Sequence, residues 1–202
     1  PQTDLPIDYE QAPEGNLVAY ATPELTKDVV VAGPGYLDLW VKPGADDGAV
    51  EVDLTEVRPD GSETYVQSGW LELQHARENP DLSDEFQVEY TYLKADREQL
   101  KPDEWIHRKV PILGVNHIFR AGSRLRVTVS APGGSRPMWA FDNPRLPTDT
   151  EVAVGRGGDR ASALVMPTLS GQEIPKGLPD CGTLRGQPCR PYIEVANNPA
   201  KG

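Results

Sequence analysis

The clearest alternation of apolar and polar positions lies at residues 124–130, where Leu125, Val127 and Val129 interleave with Arg124, Arg126, Thr128 and Ser130. Successive side chains of an extended chain point to opposite faces, so a period of two predicts a strand with one buried face. Just ahead of it, Ile118 and Phe119 form an apolar plug before Arg120-Ala121-Gly122, a turn whose glycine tolerates positive φ. Arg124 and Arg126 share the polar face. They read either as a solvated or interface-facing stripe or as an anion site, and no ligand is assigned to them.

The same period recurs along the chain. Residues 17–21 predict a first strand; residues 29–32 and 36–42 flank Gly33-Pro34-Gly35 and read as a hairpin, with Leu37 and Leu39 on one face and Tyr36, Asp38 and Trp40 on the other. Val50, Val52 and Leu54 alternate with Glu51 and Asp53, and a bulge near Thr55 and Glu56 would turn Val57 inward. Arg58-Pro59-Asp60-Gly61 predicts a tight turn, because proline presets φ and Asp-Gly accepts a left-handed residue. The returning strand is 63–73, with Tyr65, Leu71 and Leu73 sharing a face. Phe86, Val88, Tyr90 and Tyr92 predict another strand, 94–103 a charged loop with at most one helical turn, and 105–112 a strand leading into the central run. Beyond it come a loop at 131–137, a short apolar strand at 138–141 and strands at 152–155 and 163–166.

Eight to ten short strands with no sustained helical period predict an all-β fold, an antiparallel jelly-roll β-sandwich. Residues 1–16 are polar and proline-punctuated and read as a linker from an upstream domain, 17–168 as the sandwich, and 169–202 as a loop-rich tail. The chain starts without methionine or a leader pattern, which suggests a segment of a longer polypeptide. Its 202 residues suffice for one core burying ~70% of the unfolded chain's surface, and its 19 glycines and 20 prolines fit many turns.

Charge narrows the partners. With 31 acidic against 20 basic residues the formal charge is -11, which repels phosphate backbones and anionic lipid, so nucleic acid and membrane are not expected partners. The longest aliphatic run, 29–32, is far short of the ~20 residues that cross a bilayer.

Candidate chemistry is sparse. Cys181 and Cys189 lie in a polar stretch, enclose GTLRGQP and are predicted to form a disulfide, which implies an extracellular or periplasmic location. Two cysteines alone lack the further ligands of a zinc site. Gly133-Gly134-Ser135-Arg136-Pro137 fails the G-x-S-x-G nucleophile elbow at its last glycine, so Ser135 reads as a turn residue. His75, His107 and His117 lack the H-x-H spacing that puts two ligands on one strand face, and no metal or other cofactor is expected. Asp46-Asp47-Gly48 has too few spaced oxygens for calcium. Carboxylates are too plentiful to single out a glycosidase pair. Trp40, Trp70, Trp105 and Trp139 read either as core and interface residues or as a sugar-stacking platform.

Four segments carry a family likeness: GYLDLWV (35–41), VDLTEVRPDG (52–61), WLELQHAR (70–77) and HIFRAGSRLRV (117–127). In this order they resemble the C-terminal domain of the X-Pro dipeptidyl-peptidase and cocaine-esterase-like (CocE/NonD) serine hydrolases. The likeness covers about residues 17–143 and is most specific in FRAGSRLRV. Ser123 departs from it, since the family often has histidine there; the charged 78–102 insertion and the cysteine tail are further departures. The resemblance implies a galactose-binding-like jelly roll behind an α/β-hydrolase domain with a helical cap. The triad lies in that hydrolase domain, so no catalytic residue is carried onto this chain. It further implies packing against the hydrolase and cap domains, with an oligomer contact as a second role. A free-standing carbohydrate-binding module of the same architecture is the alternative.

Overall fold

The computed structural model describes residues 9–75, 77–133, 146–147, 149–181 and 188–197. In chain order the elements are β1 (Leu17–Ala21), β2 (Val29–Pro43), β3 (Ala49–Val57), β4 (Ser62–Glu72), a 3-10 turn at Lys94–Asp96, β5 (Ile106–Phe119), β6 (Arg124–Ser130), β7 (Val152–Val154), β8 (Arg156–Gly157), β9 (Arg160–Ala161), β10 (Ala163–Val165), β11 (Thr168–Leu169) and β12 (Cys189–Pro191). They form an all-β sandwich of two antiparallel sheets. Sheet A has the order β1-β6-β3-β4-β12. In sheet B, β5 runs along one side of β2, while β11, β10 and β7 follow one another along the other.

The alternation at 124–130 places β6 in the middle of sheet A between β1 and β3. Val127 and Val129 enter the core and Leu125 packs against it. Gly61 takes a φ of 82° in the β3–β4 turn, and its N–H reaches the Arg58 carbonyl at 3.0 Å. Facing residues Leu37, Leu39, Val41, Val110 and Ile112 of sheet B meet Val50, Val52, Leu54, Leu71, Val127 and Val129 of sheet A. Each such side chain contributes about 1.5–3 kcal/mol by leaving water. Gly69 lets β4 approach β5: a Cβ there would overlap the Pro111 carbonyl.

Several expectations change. Residues 29–43 are one strand, not a hairpin: the 14-residue β5 pairs with β2 from Val29↔Phe119 to Val41↔Ile106. The register shifts between Gly33, at φ 129°, and Gly35, where Pro34 faces both Leu113 and Gly114, so the Gly-Pro-Gly punctuation sits opposite a bulge in β5. The irregularity opposite Leu54 and Thr55 lies in β4, where Val66 is the extra residue. It reverses the facing of β4, so Val66 joins the core while Tyr65 turns outward toward Tyr9. Glu56 rather than Val57 then reaches sheet B, where its carboxylate meets His117 at 2.8 Å.

Phe86 to Tyr92 form no strand. Val88 and Tyr90 still reach the core, the segment held by an isolated bridge, Glu78↔Tyr90, rather than a ladder. The predicted strand at 138–141 lies outside the described residues.

Candidate functional site

The outer face of sheet A is charged yet buried. Glu63 is 0% and Arg126 1% exposed. One Glu63 oxygen accepts Arg126 Nη1 at 2.6 Å and the Thr55 hydroxyl at 2.7 Å; the other accepts Arg190 Nε at 2.9 Å. Burial pushes the Glu63 carboxyl up, but Arg190 and Arg126 outweigh it and hold the pKa below the ordinary value. Beside this cluster Ser68 donates to Asp53 and meets the Tyr65 hydroxyl at 2.8 Å.

Two segments of the chain itself seal this face. Gln11 accepts Arg126 Nη2 at 2.9 Å, and the Arg190 guanidinium lies 4.1 Å over the Tyr9 ring. The tail enters through β12 on the β4 edge, beside the Cys181–Cys189 disulfide, whose Cα atoms are 5.6 Å apart. It then crosses the sheet. Tyr192 stacks with Arg126 at 5.2 Å and the Ile193 carbonyl accepts from it. At the far edge the Asn197 amide bonds both the N–H and the carbonyl of Ala19 in β1. A cavity of about 10 Å3 between Gln11, Asp53, Thr128 and Arg190 has room for a single water molecule.

The outer face of sheet B is open by comparison. Tyr36, Asp38, Trp40 and Lys42 of β2 lie beside His107 and Lys109 of β5, with Trp105 at the strand entrance. His107 stacks on Trp40 at 4.8 Å and meets Asp38 at 2.7 Å; their side chains are 42% and 32% exposed. Lys109 lies 5.4 Å over Tyr36, Arg160 5.2 Å and Lys42 6.0 Å over Trp105.

An open groove of about 580 Å3 lies at the end of β4, lined by Gln74, His75, Tyr92, Lys94, Arg97 and Glu98. Arg108 anchors its wall through the Leu73 carbonyl at 2.7 Å and Glu98 at 2.6 Å. Tyr92 sits there at φ 52° with its ring edge-on to His75.

The residues singled out by sequence are not gathered in one place. Each histidine faces its own carboxylate: His75 Glu72 at 3.3 Å, His107 Asp38 and His117 Glu56. Among the described residues no group of three or more His, Cys, Asp or Glu is placed to hold a metal. Asp47 caps the Gly48 N–H at 2.8 Å, and the Asp46 carbonyl accepts from Gln74. Trp40, Trp70 and Trp105 are half-buried; Trp139 and Ser135 lie outside the described residues. The arginine stripe is corrected in one half: Arg124 is exposed near Glu24, whereas Arg126 is sealed under the tail. Sequence reading missed Tyr9, Gln11, Glu63, Arg190 and Asn197. The only signal was an apolar and aromatic run, Pro191-Tyr192-Ile193, inside a polar tail.

Residues 7–164 match the family described as the X-Pro dipeptidyl-peptidase C-terminal non-catalytic domain. The chain belongs to that family. Among solved structures it is similar to a CocE/NonD family hydrolase from Staphylococcus aureus, at 20% identity and a TM-score of 0.64 over 76% of this chain and 30% of that one. It is also similar to an aminopeptidase from a marine sediment archaeon, Thaumarchaeota archaeon, at 20% identity and a TM-score of 0.56 over 77% and 26% of the two chains. An α-amino acid ester hydrolase matches at 19% identity and a TM-score of 0.55 over 76% and 26%. The shared feature is the fold, and the chain spans about a third or less of the structures it matches. No curated protein sequence matches it.

Proposed function

We propose that this chain is the non-catalytic β-sandwich of a larger α/β-hydrolase-type serine peptidase or esterase, of the X-Pro dipeptidyl-peptidase or acyl esterase class, packed against the hydrolase and cap domains. The family match over 7–164 carries this reading. In it the sandwich is a galactose-binding-like jelly roll spanning 17–168, preceded by a connecting segment at 1–16 and followed by a clasping tail at 169–202. The Cys181–Cys189 bridge supports maturation in an oxidising extracellular or periplasmic compartment. Alkylation of the protein isolated from its host, without reductant, then labels neither cysteine.

The purified chain is expected to turn over neither a p-nitrophenyl ester nor an X-Pro anilide. Sustained turnover abolished by one side-chain substitution would overturn the proposal.

The half-exposed Trp40 and Trp105 favour the carbohydrate-binding alternative, but side chains of the chain already lie on their rings. Calorimetric glycan binding lost in Trp105→Ala would establish it instead.

A further inference from the structure

The basic residues of sheet B's outer face are out of keeping with the chain's charge. The total is -11, yet among the described residues no carboxylate lies within ion-pair distance, 4.0 Å, of Lys42 or Arg160. Arg160 and Lys42 both lie over Trp105. Arg160 is carried on a two-stranded hairpin, β8–β9, all four of whose paired residues are exposed; Arg156 shares the opposite face with Ala161, and its charge acts on Tyr20 of β1 instead.

That hairpin is firmly seated. Gly155 donates to the Trp40 carbonyl at 2.8 Å, and Ser162 Oγ accepts the Trp40 N–H at 3.0 Å while donating to the Gly155 carbonyl. An added Cβ at Gly155 would come within 2.8 Å of Trp40 Cβ, so hairpin and strand are in close contact. The cations are therefore held by the fold beside half-buried aromatic rings. Rings and arginines with unspent charge suit the centre and rim of a protein interface. Among the described residues the outer face of sheet A is instead covered by the chain's own segments.

We propose that the Trp40–Trp105 face of sheet B, with Lys42 and Arg160, docks an acidic surface on the catalytic body of the same polypeptide. This rests on the reading of the chain as part of a larger hydrolase. The family match and the 26–30% share of the matched structures that the sandwich occupies make that body the partner. A glycan would need ring faces that Lys42, Arg160 and His107 now cover.

The test is hydroxyl-radical footprinting of the full-length polypeptide against the 202-residue chain. Oxidation of Trp40 and Trp105 is expected to fall several-fold in the full-length protein, while Tyr192 on the sealed face keeps its rate. Lys42→Glu with Arg160→Glu should restore the oxidation; Lys42→Arg with Arg160→Lys should leave it low. Equal oxidation of both tryptophans in the two proteins overturns the proposal and leaves the hydrolase reading standing. Protection that survives charge reversal overturns the acidic partner. A coding frame that holds no hydrolase domain overturns the reading beneath it, and sequencing establishes that before any footprint is taken.

Discussion

The two outer faces of the sandwich handle charge in opposite ways. On sheet A a carboxylate and two guanidiniums are withdrawn from water and paired with one another, with Thr55 and with the chain's own segments, Arg190 Nη1 being left without a hydrogen-bond partner among the described residues. On sheet B Lys42 and Arg160 lie over the Trp105 ring with no described carboxylate in ion-pair reach, while Lys109, over Tyr36, pairs with the partly exposed Glu78 at 3.0 Å. A buried charge depends on every partner, because the low dielectric makes an unpaired ion costly. An exposed cation over a ring depends on none of them and keeps its charge for a partner. The sealed face thus serves stability, and the open face is free to serve association.

The largest effect that separates them should come from Glu63→Ala. It leaves Arg126 and Arg190 buried without a counter-ion and should cost about 3–5 kcal/mol. Urea unfolding checks this as a lower midpoint at unchanged slope. Replacing Glu63, Arg126 and Arg190 together by apolar residues of similar volume should cost much less, since no lone charge remains. An equal loss in both would mean that the network's hydrogen bonds matter more than its charge balance.

Acid should reproduce part of that loss. Burial pushes the Glu56 carboxyl up, but His117 at 2.8 Å and the Arg120 N–H at 3.1 Å hold its pKa below the usual 4.5, as the arginines do for Glu63. A carboxyl whose folded pKa is depressed contributes stability that is fully present above its unfolded value. That contribution is lost as pH falls through the folded value. Stability should therefore hold from neutral pH down to about pH 5 and decline below 4.5. Glu56→Gln should flatten the decline in unfolding curves taken across that range.

Next in size is the clasp. Cys181→Ala with Cys189→Ala should cost roughly 2 kcal/mol, the contribution of a short closed loop. Hydrogen exchange should rise first at β12 and the β4 edge and leave the β2–β5 ladder protected. Uniform acceleration across both sheets would show that the tail is integral to the core and not a cover over one face.

The smallest effect should be on the open face. Lys42→Glu with Arg160→Glu should shift the stability of the chain by no more than about 1 kcal/mol, the scale of exposed cation–ring contacts. Thermal unfolding measures it. A loss as large as that of Glu63→Ala would abolish the distinction between the two faces.

Local sequence determined a good deal of this protein. Alternation at 124–130 located β6, Pro59-Asp60-Gly61 located the β3–β4 turn, and two cysteines in a polar tail anticipated their bridge. Side-chain period and turn chemistry are properties of a few neighbouring residues, which is why they can be read from the chain. The four motifs likewise pointed to the family that residues 7–164 match.

What only the tertiary structure decided depends on residues far apart in sequence. Gly33-Pro34-Gly35 looks like a stop, but β5 supplies a ladder long enough to carry β2 through it. One extra residue in β4, Val66, reverses which side of Tyr65 is inside. Arg126 has the period of a solvent-facing residue and is buried because Gln11 and the tail, 115 and 67 positions away, close over it. Alternation distinguishes the two faces of a strand. Which of them meets water is settled by what else folds against it.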